Sequence, residues 1–141
     1  MSGVLPQSLA LVLCDDVRWD PTGSKANLLG TFHQVKAERF PLAMPRFKVW
    51  IELTNGNGVT PMTLRVTHLT PDEIDGDLVV DIRFIATFHD PRIALPHVLT
   101  IEDLLLRAAG DYRFSILARE HPIAERYFTA QLIEPEEGAA P

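Results

Sequence analysis

The sequence predicts an all-β fold, an antiparallel two-layer Greek-key sandwich, on three observations. Between Leu9 and Ile133 about eight short segments alternate apolar and polar residues, the period-two pattern of strands lying half-buried on a core. Each segment closes on a cluster of Gly, Pro, Asn or Asp. No amphipathic run longer than about three helical turns intervenes, so a parallel sheet would lack its crossover helices, and seven or eight strands over about 125 residues fit two packed layers.

The first strand is expected over Ser8 to Asp15, apolar on both faces, with Leu9, Leu11 and Leu13 alternating with Ala10, Val12 and Cys14. Such a strand is covered on both sides or shielded by a loop. Asp20-Pro21-Thr22-Gly23 is a turn, and Trp19 is read as part of the loop beside it. A second extended stretch runs over Asn27 to Phe32 and His33 to Glu38, and Gly30 interrupts its alternation where a bulge would bend the strand. Pro41 and Pro45 bracket a link that can be neither helix nor central strand.

Arg46 to Thr54 is the cleanest strand, with Phe47, Val49, Ile51 and Leu53 on one face and Lys48, Trp50, Glu52 and Thr54 on the other. Asn55-Gly56-Asn57-Gly58 follows. Asn-Gly tolerates positive φ at both centres of a tight turn, so the next strand, about Thr60 to Leu69, is expected to return as a hairpin partner. Its Met62, Leu64 and Val66 point inward, and Pro61 belongs at an edge or at the strand's start.

Thr70 to Asp77 is a second turn, after which Leu78, Val80, Ile82, Phe84, Ala86 and Phe88 alternate inward until His89-Asp90-Pro91-Arg92 stops the strand. Ala94 to Asp103 admits two readings: Thr100-Ile101-Glu102-Asp103 resembles a helix N-terminus that Gly110 could close, and the favoured one is a strand over Val98 to Glu102, then an irregular or single-turn link to Gly110. A hairpin closes the chain: Tyr112 to Ala118, a turn at Glu120 to Pro122, and Ile123 to Ile133. One domain over residues 1–133 follows, with the Pro-, Glu- and Ala-rich residues 134–141 as a disordered tail. Its expected core holds Leu11, Leu13, Val49, Ile51, Leu64, Val66, Val80, Ile82, Phe84, Phe114, Ile116, Phe128 and Leu132.

A chain of 141 residues, 46% of them hydrophobic, can bury a core without disulfides or a structural metal. The single Cys14 cannot form an internal bridge, and the start lacks the basic and apolar regions of a secretory signal, which points to the cytoplasm. The apolar run from Leu9 to Cys14 is far shorter than the roughly 20 residues that span a bilayer, so no membrane span is expected. A formal charge of −6 and a pI near 5.3 disfavour nucleic acid, whose affinity rests on Lys and Arg displacing counterions.

Gly110-Asp111-Tyr112-Arg113-Phe114-Ser115-Ile116 resembles the penultimate strand of immunoglobulin-like sandwiches, where a Gly turn precedes Tyr-x-Phe-x-apolar. The resemblance implies that the Tyr112 ring fills the end of the sandwich while its hydroxyl bonds to nearby backbone. Together with Leu13-Cys14-Asp15-Asp16, Leu28-Leu29-Gly30-Thr31-Phe32, Phe40-Pro41 to Pro45 and Gly56 to Gly58, it is similar to a widespread bacterial family of small all-β proteins known only as a domain of unknown function. That likeness runs from about Ala10 to Ile133, implies an immunoglobulin-like sandwich and brings no activity. Leu104 to Ala109 departs from the Pro-Gly connection expected there.

Two acidic groups are candidates for calcium, a hard cation that takes six to eight oxygens: Asp15, Asp16 and Asp20 at the first turn, and Asp72, Glu73, Asp75 and Asp77 at the second. Neither has the Asp-x-Asp-x-Asp-Gly spacing, and acidic residues commonly cap turns. His33, His68, His89, His97 and His121 never fall at i, i+2 or i, i+4, which leaves no local metal signature, and no cofactor is expected. His89-Asp90 reads as a turn dipeptide rather than a catalytic dyad. Ser8, Ser24 and Ser115 lack a nucleophile-elbow context, and Cys14 sits in an apolar run that favours a buried, inert thiol.

Alternation turns Trp50, Tyr127, Val79 and Ile85 outward, where either a chain segment covers them or a partner does. The resulting expectation is a non-catalytic protein-interaction or assembly module that uses those four residues, with homodimer formation as its simplest use. A calcium-dependent binding sandwich is the first alternative, and a small enzyme with an unrecognised site is the second.

Overall fold

The computed structural model describes residues 4–70 and 76–134. Among the described residues eleven strands are present: β1 Gln7–Trp19, β2 Ala26–Phe32, β3 Gln34–Ala37, β4 Leu42–Ala43, β5 Phe47–Thr54, β6 Gly58–Leu69, β7 Asp77–Phe88, β8 Leu95–Ile101, β9 Leu105–Leu106, β10 Gly110–Ala118 and β11 His121–Leu132. They form a sandwich of a four-stranded sheet, ordered β2-β1-β5-β8, and a five-stranded sheet, ordered β3-β11-β10-β6-β7, while β4 and β9 make a two-stranded ribbon. All pairs are antiparallel except β3 with β11, which run parallel. The all-β sandwich is therefore the fold, with one parallel edge that alternation alone does not announce.

Both sheets turn their apolar faces inward. Leu11, Leu13, Phe47, Val49, Ile51 and Leu53 of the smaller sheet meet Leu64, Val66, Tyr112, Phe114, Ile116 and Phe128 of the larger one. Aromatic rings join the layers edge-to-face at one end, Phe32 to Phe128 at 5.9 Å and Phe47 to Phe114 at 6.3 Å, while Phe32 and Phe47, both of the smaller sheet, meet at 5.5 Å. This tilted geometry sets ring edges against ring faces and adds to the gain from burial alone. Arg126, also inward-facing, reaches from β11 to donate to the Leu11 carbonyl at 3.0 Å. Pairing of β1 with β2 begins only at Leu13, so the guanidinium occupies the place that a neighbouring strand leaves open.

Several elements differ from the sequence reading. The Asn55 to Gly58 turn joins no hairpin: β5 pairs with β1 and β8, and β6 pairs with β10 and β7, so the turn carries the chain from one sheet to the other. Asn55 does adopt a positive φ of 61°, and its main-chain N–H donates to the Pro91 carbonyl at 2.8 Å. Gly30, at φ +67°, lies where Asp15 faces it across β1 and β2, and a Cβ there would collide with the Asp15 carboxylate. The register passes through unshifted from Cys14↔Thr31 to Asp16↔Leu29, so Gly30 is a bend rather than a bulge.

The link between the two prolines contains β4, and the irregular segment after β8 contains its partner β9. Leu132, expected in the core, is 57% exposed, because it lies two residues beyond Ala130, the last residue of β11 opposite β10. Leu78, also expected inward, is 59% exposed. The register between β6 and β7 slips by one between Val66 and Thr67, and this bulge reverses which residues face the core at the start of β7.

Candidate interaction surface

The four residues expected at an interface do not form one patch. Trp50 faces outward from the smaller sheet as alternation requires, yet it is only 9% exposed, because Trp19 lies on it at 5.7 Å between ring centroids. Trp50 is opposite Val12 on β1, and Trp19 stands seven residues further along the same strand, about 23 Å away if the strand were straight. β1 therefore curls with β2 over the outer face of its own sheet. Trp19 is not a loop residue: it ends β1 and forms the lid on Trp50. Cys14, on the same face, is fully buried, and desolvation, followed by the nearby Asp15 and Asp16 charges, pushes its thiol up.

Val79, expected outward, is half-buried against the core because of the bulge beside it. Tyr127 and Ile85 are exposed, each at 57%, on the outer face of the larger sheet. They occupy different strands, β11 and β7, with β10 and β6 between. The surface between them is polar and paired: Arg113 meets Glu125 at 3.6 Å, Arg65 meets Asp81 at 3.6 Å, and Thr63, Thr67 and Ser115 are buried beneath the longer side chains.

The acidic residues near the first turn serve the turn. Main-chain and hydroxyl donors from Lys25, Thr22 and Ser24 surround Asp20 and, against a desolvation that would raise it, hold its carboxyl below the usual range. Asp16 accepts from the Val17 N–H at 2.9 Å and pairs with Arg18 at 3.5 Å. Asp72, Glu73 and Asp75 lie outside the described residues, and Asp77 heads β7 opposite His68. Among the described residues no three His, Cys, Asp or Glu side chains gather as metal ligands do.

Tyr112 is buried, and its hydroxyl donates to the Ala108 carbonyl at 2.6 Å, the corner contact that the Gly-Asp-Tyr motif implies. Burial pushes the phenol above its ordinary range. His68 stacks on the Tyr112 ring at 4.5 Å, and His97 tilts against Phe84 at 5.3 Å, so both imidazoles are engaged with aromatic faces.

Tyr112 and His68 help line a cleft of about 800 Å³ between the β7 edge of the larger sheet and the β8 end of the smaller one. Its apolar lining comes from Leu78, Val79, Val80 and Ile82 on one side and from Ile101, Leu104 and Leu105 on the other. Thr100, Glu102 and Arg107 stand at its margin. Leu78 and Leu105 project apolar surface at 59% and 41% exposure. Among the described residues β7 is an edge strand, twelve residues long, whose one partner is β6. Sequence reading placed Val79 and Ile85 on this strand but had no means of identifying it as an edge.

A family model described as a family of unknown function (DUF6941) matches residues 9–131. No curated protein matches the chain. Among solved structures, an immunoglobulin-like protein from Pseudomonas aeruginosa superposes at a TM-score of 0.46 with 18% identity, over 91% of this chain and 98% of that one. A β-D-glucoside glucohydrolase from Trichoderma reesei superposes at 0.48 with 10% identity, over 89% of this chain but only 19% of its own length.

Proposed function

We propose that this chain, which belongs to that family of unknown function, is a non-catalytic protein-interaction module whose contact surface is the β7 edge with the cleft beside it. The observation that carries the reading is the coincidence of the two features. A twelve-residue strand with one side unpaired among the described residues borders an open cleft lined by Val79, Val80, Ile82 and Leu105. An extended segment added to such an edge gains main-chain hydrogen bonds, and the cleft beside it accepts alternate side chains. The outward aromatic Tyr127 is on the far side of the same sheet and is no part of this surface.

Cytoplasmic action accords with a lone cysteine held as a buried thiol. Among the described residues no helix is long and apolar enough to cross a membrane.

The test compares affinity capture from the producing cell's extract by the wild type, by Leu78→Glu and by Tyr127→Ala. A partner identified by mass spectrometry that is retained by wild type and Tyr127→Ala but lost with Leu78→Glu supports the reading. A partner indifferent to Leu78→Glu overturns it.

A further inference from the structure

We propose that β7 pairs antiparallel with β7 of a second copy of this chain, in the register that places Ile82 on the two-fold axis. This deepens the interaction-module reading and rests on it. The four sheet edges differ in how readily they accept another strand. β8 carries Pro96, which cannot donate to a ladder; β2 is bent at Gly30; β3 is only four residues long and contains Lys36. Each carries a device that discourages further pairing. β7 has neither proline nor lysine, and its single bulge lies near its start, between the Val66↔Val80 and Thr67↔Leu78 pairs. From Val80 to Phe88 it runs in unbroken register with β6.

Charge favours the same pairing. A two-fold axis perpendicular to the sheet keeps each face on its own side, so paired residues share parity. Centred on Ile82, the pairing sets Asp81 opposite the second copy's Arg83, and Arg83 opposite its Asp81. The local sequence Asp81-Ile82-Arg83 is thus complementary to itself when reversed. Asp81 already meets Arg65 at 3.6 Å, while Arg83 is exposed with no carboxylate within ion-pair distance among the described residues. The dimer would give that guanidinium its partner and extend the row Glu125, Ser115, Arg65, Asp81 across the axis. Sliding one strand by two residues either way leaves Asp81 opposite the second copy's Asp81 or its Ile85, so the charges select one register. On the opposite face the same pairing brings half-buried Val80 against Phe84.

Light scattering on purified protein at tens of micromolar tests the proposal. The wild type is expected as a dimer. Arg83→Asp and Asp81→Arg each put like charges opposite one another twice, raising the dissociation constant about tenfold or more. An equal mixture of the two variants restores complementary pairs and is expected to form a heterodimer. Circular dichroism checks that each variant is folded. Because Asp81→Arg also faces Arg65, an independent readout is Ile82→Cys, whose thiols would meet across the axis and form an interchain disulfide when oxidised with diamide, whereas Thr87→Cys would not.

A wild-type monomer, a dimer that persists in both charge variants, or an Ile82→Cys protein that fails to cross-link overturns self-pairing. The interaction-module reading fails separately, when capture of an identified partner is indifferent to Leu78→Glu.

Discussion

Replacing Tyr112 by Phe removes one oxygen from the molecule and leaves the ring in place. The ring is 1% exposed, stacked on His68 and set edge-to-face on Phe128 at 6.5 Å, so its packing survives the change. What disappears is the bond from the hydroxyl to the Ala108 carbonyl, 2.6 Å long. A neutral hydrogen bond contributes about 1 kcal/mol net, and Ala108 is exposed, so water can resolvate its carbonyl and the loss stays near that figure. For a chain of this size it corresponds to about 4 °C in Tm.

The pH dependence sharpens the test. Burial raises the phenol above its ordinary value of 10.0, so the folded state favours the neutral form. The contribution of this group is complete below its unfolded pKa and is lost as pH climbs through the folded one. Urea denaturation at neutral pH should therefore show the variant less stable by about 1 kcal/mol, and the gap should close as pH rises past about 10. A variant as stable as wild type at neutral pH, or a gap that ignores alkaline pH, would refute the corner as a source of stability.

The β10–β11 hairpin turns on Arg119 and Glu120, both at positive φ, 49° and 71°. Asn and Gly suit those positions, so R119N/E120G should stabilise the protein by about 1 kcal/mol in urea denaturation, the exposed Arg65–Glu120 contact at 3.9 Å being of little weight. Trp19→Ala should uncover Trp50, shifting the remaining tryptophan emission to the red, raising its quenching by acrylamide and costing about 1–2 kcal/mol; unchanged emission would show that Trp19 is no lid. Gly30→Ala combines a left-handed backbone with a clash against Asp15 and should cost about 1–2 kcal/mol, and a variant with wild-type Tm would remove the bend from the argument.

By itself the sequence determined the class of fold and the face of most strands. The inward residues that alternation marks in Phe47 to Leu53 and in Met62 to Val66 are all buried, and Gly-Asp-Tyr at residues 110–112 marked a corner whose hydrogen bond is present. These features are local, because side-chain parity and turn chemistry depend on a strand and its immediate neighbours in sequence.

Only the tertiary structure decided which strands meet. Asn55-Gly56 has the chemistry of a hairpin turn, yet β5 finds both neighbours elsewhere and so does β6. Trp50 obeys parity and is nonetheless covered, because β1 curls its distant Trp19 back over it. A one-residue bulge reversed Leu78 and Val79, and the end of β10 left Leu132 without a roof. The edge status of β7, on which the proposed contact rests, belongs to this second kind of fact. Parity is a property of one strand, whereas pairing and burial depend on segments distant in sequence that the folded chain brings alongside or on top.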